Sequence, residues 1–111
     1  MTKLARHDER TDWSRAGPRQ ERLLQALAAA GFRPAYYDFA TGTLYPSRHR
    51  DGRPSTHHDP NGLPDSVVVI RTGSGRVLAT RSTLRPGYER GGYFFTRSAA
   101  RRAVRDWSVP A

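Results

Sequence analysis

Two stretches with the 3.6-residue spacing of an amphipathic helix stand near the two ends of this sequence. Short strand-forming runs separated by turns fill the space between them. That order restricts the fold more than any other feature. Helices of this kind must lay an apolar stripe on something, and the only surface on offer is the sheet built from the middle.

The first helical stretch is GPRQERLLQALAAAGF, residues 17–32. Gly17 is suited to cap it, Pro18 suits the first helical position, and Glu21 sits near the positive end of the dipole. Leu23, Leu27 and Ala30 follow helical spacing, with Leu24 widening the stripe. Gly31 is placed to end the helix in a left-handed conformation, which would fold Phe32 back on Leu27. The second stretch is TRSAARRAVRDW, residues 96–107. Thr96 is a good N-cap. Ala100, Ala103, Val104 and Trp107 share one face, and Arg97, Arg101 and Arg105 share another with Arg102 beside them.

Between the helices, residues 33–48 predict a hairpin. Tyr36, Tyr37 and Phe39 are strand formers, 40–42 is the turn, and Leu44 and Tyr45 return. Residues 66–81 predict a second hairpin turning at 72–75. Its first arm, Val67 to Ile70, is apolar on both faces and reads as a central strand. GGYFF at 91–95 adds a short strand. The order is α-β-β-loop-β-β-β-α. It predicts an α+β fold of two layers, in which an antiparallel sheet of four to five strands is packed by an N-terminal and a C-terminal helix. The domain spans 17–108. Residues 1–16 read as a flexible basic arm, to which Trp13 belongs, and 109–111 as a tail.

Charge adds a functional constraint. The chain has 111 residues, a net charge of +9, eighteen arginines and one lysine. Arginine in place of lysine follows from a GC-rich coding sequence and says nothing about recognition. The excess of bases over acids does. Residues 1–22 carry +2, residues 23–70 are neutral, and residues 71–111 carry +7. Such asymmetry points to an anionic partner at one end of the molecule. Cysteine is absent, which excludes disulfides, zinc–cysteine sites and thiol chemistry. No apolar run approaches a membrane span and the N-terminus lacks a signal-peptide core, so a soluble, cytoplasmic protein with no membrane partner is expected.

Several groups of residues are candidate sites. The main one is a nucleic-acid-binding surface in which Arg97, Arg101, Arg102 and Arg105 neutralise phosphates, helped by Arg81, Arg85 and Arg90. On a helix, arginines four apart rise by about 6 Å, close to the repeat of phosphates along a strand. Tyr36, Tyr37, Tyr45, Tyr88 and Tyr93 are candidate stacking platforms for bases, interleaved with Arg33, Arg48, Arg85 and Arg90. Alternation buries about half of such aromatics.

HHDPNG, residues 57–62, is the one crowd of site-type side chains. His57 and His58 are adjacent, so their rings diverge and a metal is not expected. Asp59-Pro60-Asn61-Gly62 is strong turn chemistry. The long loop 47–65 around it is read as solvated, and functional or mobile. TGSGR at 72–76 lacks the helix and lysine of a phosphate-binding loop and reads as a turn.

The reading that results is a small non-catalytic basic module that contacts DNA or RNA backbone and needs no cofactor. One alternative is an accessory or inhibitor protein that docks on an acidic partner. A second is a metal-independent ribonuclease using His49, His57 and His58 with Arg48, Arg50 and Arg53. The sequence leaves the oligomeric state open.

Overall fold

The computed structural model describes residues 4–6 and 18–108. The segment 7–17 with Trp13, the 109–111 tail and the side chain of Trp107 lie outside that description.

Helix α1 runs Pro18–Ala29 and α2 runs Arg97–Ser108. The end of α1 and the start of α2 are as their sequences require. Gly31 is left-handed (φ 88°), and the Phe32 amide donates to the Leu27 carbonyl at 2.9 Å while the Gly31 amide donates to that of Ala28 at 3.0 Å. This is the two-bond Schellman ending, and it carries Phe32 back into the core. At the start of α2 the Ala99 amide donates to the Thr96 hydroxyl at 3.1 Å.

The strands are β1 Leu4–Arg6, β2 Arg33–Asp38, β3 Thr43–Pro46, β4 Val68–Arg71, β5 Val77–Arg81, β6 Leu84–Arg90 and β7 Tyr93–Phe95. All pairings among them are antiparallel. The α+β class with two helices and antiparallel strands is therefore the one the sequence implies. The division of the strands is not. They form two sheets, a four-stranded one in the order β3-β2-β6-β7 and a three-stranded one in the order β1-β5-β4. The two predicted hairpins fall in different sheets.

Three further elements differ from the sequence expectation. Leu4–Arg6, which reads as part of the arm, pairs with β5 from Leu4 opposite Arg81 to Arg6 opposite Ala79. Strand β6 has no counterpart in the sequence reading, because Arg85-Pro86-Gly87 interrupts any strand pattern. Pro86 is tolerated there because β7 pairs only with Tyr88 to Arg90, which leaves Pro86 flanked by a strand on one side alone. And β4 is an edge strand, not a central one. Val69 and Ile70 are 45% and 42% exposed. An apolar run shows what could be buried, not whether a neighbour arrives to bury it.

Residues opposite one another in register share a face of the sheet. The inner face of the large sheet carries Pro34, Tyr36, Asp38, Leu84, Tyr88 and Phe95. At one end Leu27, Phe32 and Ala100 close over Tyr88, with Leu23, Leu24, Phe95 and Val104 packed around them. At the other end Leu63 and Val67 close over Tyr36 and Leu84, with Tyr45 and Val68 alongside. The helices cover one half of this face and the long loop covers the other.

Candidate functional site

The loop 47–65 is a folded part of the core lid. Asp59 caps a 3₁₀ turn at Pro60–Gly62, its carboxylate accepting from the Asn61 amide at 2.9 Å. The Asn61 side chain then accepts from the Val77 amide at 2.8 Å, which ties the turn to β5. The Ser47 hydroxyl donates to the His57 carbonyl at 2.7 Å and accepts from the Asp59 amide at 2.8 Å. The Arg71 guanidinium lies inside the loop and binds the carbonyls of Asn61, Leu63 and Gly75 and the Asp65 carboxylate.

Gly62 makes the tightest approach. A β-carbon there would stand 2.2 Å from the Arg48 carbonyl oxygen and 2.6 Å from that of His49. Both obstacles are backbone, so the loop would have to move. Gly62→Ala is expected to cost about 2–3 kcal/mol, as overpacking of a tight interior does, read as a lower denaturant midpoint. A change below about 0.5 kcal/mol, the level of an ordinary surface substitution, would show that the loop yields freely.

The three candidate catalytic histidines take three separate sets of partners. His49 Nδ1 meets Asp59 Oδ2 at 2.9 Å on the surface. His57 Nδ1 lies 3.1 Å from the Thr56 hydroxyl. His58 turns the opposite way and is 4% exposed. Its ring stands edge-on between Tyr36 (5.5 Å) and Tyr88 (5.3 Å), at the seam of the two core halves. Its Nε2 donates to the Gly87 carbonyl at 2.7 Å, the tautomer that this acceptor requires. Burial drives its pKa down to about 4, against the pull of the Gly87 and Ala35 backbone, with the nearby His57 and Arg97 lowering it further. A neutral imidazole locked in a core is a packing group. Among the described residues no group of three or more His, Cys, Asp or Glu is placed to hold a metal ion.

The fold spreads the seven arginines proposed for nucleic acid over α2, both faces of the large sheet and the end of a strand of the small sheet. Arg101, Arg102 and Arg105 lie exposed together on α2. Arg97 is half-buried, near enough to His58 and Tyr88 to act on their titration. Arg90 reaches across to α1, where its Nε donates to the Ala30 carbonyl at 3.0 Å, a cation at a helix C-terminus. Arg81 ends β5. It adds to the attraction that, with the Thr83 hydroxyl foremost, holds the buried Asp38 carboxyl below its usual range. Arg85 is exposed on the outer face of β6, across the sheet from the helices. Arg81 and Arg90 thus have local structural work, and Arg85 belongs to another surface.

The candidate stacking aromatics divide in the same way. Tyr36 and Tyr88 are buried, Tyr45 packs beside Tyr36, and Tyr93 stands 74% exposed at the β7 edge. Tyr37 faces outward. There it is joined by Phe39 and Phe94, which sequence reasoning did not single out. A residue's face is fixed by register, and the register of β6 and β7 has no local signal. Arg33, Arg48, Arg85 and Arg90 are all exposed, but only Arg33 and Arg85 share the outer face with Tyr37.

Among the described residues no helix is long and apolar enough to cross a membrane. Comparison of the chain with protein-family models, with curated proteins and with solved structures finds no significant match in any of the three.

Proposed function

We propose that this domain binds the phosphate backbone of nucleic acid through the solvent face of α2. The observation that carries the reading is the exposure of Arg101, Arg102 and Arg105 on one helix whose single acid is Asp106. The Arg105–Asp106 contact is long, 3.8 Å, and both side chains are about 70% exposed, so it neutralises little. The neighbouring helix, α1, carries Glu21 as its one acid. Binding would proceed by counterion release, sequence-independently and with strong salt dependence. No catalytic step and no cofactor enter this reading.

The test is fluorescence anisotropy of labelled duplex DNA at about 50 and about 200 mM salt, the range in which phosphate contacts show themselves. The Arg101→Ala/Arg105→Ala double variant is expected to reduce the slope of log K against log salt by about 2, near 0.9 for each phosphate that is no longer neutralised. An unchanged slope would remove α2 from the interface.

A second reading, docking on a partner protein, is favoured by a different observation. Val69, Ile70 and Leu78 are each exposed on the small sheet, and among the described residues no strand pairs with the outer side of its edge strand β4. It predicts no duplex binding even at low salt and a stoichiometric protein complex instead.

A further inference from the structure

We infer that the outer face of the four-stranded sheet is a second ligand surface, a stacking platform for the bases of single-stranded nucleic acid. This does not rest on the α2 reading, because the helices lie on the other side of the sheet.

The platform is built from Tyr37 on β2, Phe39 just beyond its end and Phe94 on β7. The rings of Tyr37 and Phe94 are stacked, 5.0 Å apart and 21° from parallel. Phe39 stands edge-on to both, at 4.9 and 6.0 Å. Two strands separate in order are bridged because β6 passes between them with a bare backbone. A β-carbon on Gly87 would stand 2.3 Å from Phe94 Cζ. Phe94 therefore lies down over Gly87 and reaches Tyr37, and any larger residue at 87 would lift it off.

Nothing among the described residues covers this aromatic surface. Phe39 is 59% exposed, and Tyr37 and Phe94 are partly exposed. The helices and the long loop lie against the inner face.

The rim identifies the occupant. Arg85 stands opposite Tyr37 in register, and Arg33 lies further along the same face of β2. Both side chains are exposed and make no hydrogen bond or ion pair to another described residue. The acid on this face is Glu89, so its balance is positive. An aromatic floor between arginines meets the two needs of a single strand, flat faces for bases and cations for phosphates. A duplex keeps its bases stacked on each other and has none to offer. A second copy of this chain would bring Arg33 and Arg85 against their own kind, and a hydrophobic peptide has no use for them.

The experiment compares binding of labelled dT15, rU15 and a 15-base-pair duplex at low salt. The proteins are the full chain and two variants, Phe39→Ala and Phe94→Leu. The first is exposed enough to leave the fold alone. The second keeps an apolar cover on Gly87 but removes the ring. A thermal melt by circular dichroism checks that both are folded. Each variant is expected to weaken single-strand binding about 5- to 100-fold, the range for one lost base stack, and to leave the duplex affinity and the salt slope as they were. Tighter binding of rU15 than dT15, or the reverse, tells which sugar the surface takes.

The inference is overturned if folded Phe39→Ala and Phe94→Leu bind both single strands as the unaltered chain does. It is also overturned if the unaltered chain binds no single strand at low salt, or if the variants instead dissolve a dimer. A flattened salt slope in the α2 double variant with no effect of the platform variants would leave the α2 reading standing and remove this one.

Discussion

Arg71→Ala is expected to lower stability by about 2–4 kcal/mol and to loosen the loop 47–65 as a unit. The guanidinium makes hydrogen bonds to three backbone carbonyls, those of Asn61, Leu63 and Gly75, from a side chain only 25% exposed. A charged donor is worth about 1.5–3 kcal/mol per bond net, and acceptors left without a partner cost more where water cannot reach them. Partial access to water sets the total below the simple sum. The Asp65 interaction adds little, because that carboxylate is 92% exposed.

Arg71→Lys should lose most of the same energy. A single ammonium cannot span carbonyls from three separate points of the chain as a planar fork does. Chemical denaturation would give the stability. Amide exchange of Leu63 and Val77 would report the loop, since Leu63 donates within the 3₁₀ turn and Val77 donates to Asn61. A loss under about 1 kcal/mol, the net value of one ordinary hydrogen bond, would mean that water replaces the guanidinium. So an arginine from the basic C-terminal half proves to be interior staple rather than partner surface.

Acidification is expected to weaken the fold well above the pH at which carboxylates titrate, and His58 is the cause. In the unfolded chain an imidazole titrates near 6.5. In the fold His58 titrates at about 4. The unfolded chain therefore takes up the proton first. The stability due to neutral His58 is fully present above pH 6.5, declines as the pH falls from 6.5 to 4, and is gone below 4. Over that window the loss is on the order of 3 kcal/mol, at about 1.4 kcal/mol per pH unit of separation.

Denaturant midpoints at pH 7.5, 5.5 and 4 would show it. His58→Gln retains a donor for the Gly87 carbonyl and cannot ionise. That variant should be less stable than the parent at pH 7.5, and the gap should close or reverse by pH 4. Parallel pH profiles for the two proteins would mean that His58 is not the titrating group.

The local punctuation of this fold is legible in the sequence. Pro18, Thr96 and the Gly31–Phe32 pair mark helix ends whose hydrogen bonds run between residues five or fewer apart. Asp59-Pro60-Asn61-Gly62 makes the turn its composition demands. The hairpin at 33–46 pairs as its turn requires. In each case the partners are close along the chain, so the sequence states both halves of the interaction at once.

Partners far along the chain are another matter. The run at Val67 to Ile70 reads as central, yet among the described residues no strand reaches its outer edge. Residues 84–90 receive no element from the sequence, yet they form the strand between β2 and β7 in the main sheet. Arg81, Arg85 and Arg90 read as helpers of the α2 arginines on one surface, yet register sends Arg85 to the outer face while Arg90 closes the end of α1. His58 reads as one of a pair on an exposed loop, and its acceptor at Gly87 is 29 positions away.

The sequence by itself determined the α+β class, the helix ends, the turns and the concentration of positive charge in the last 41 residues. These follow from backbone preferences and from side chains a few positions apart. The tertiary structure alone decided which charges remain outside, which histidine is buried and which aromatics share a face. A side chain's solvent is fixed by what the rest of the chain brings against it. Phe94 becomes a platform with Tyr37 only because a glycine on a third strand passes between them.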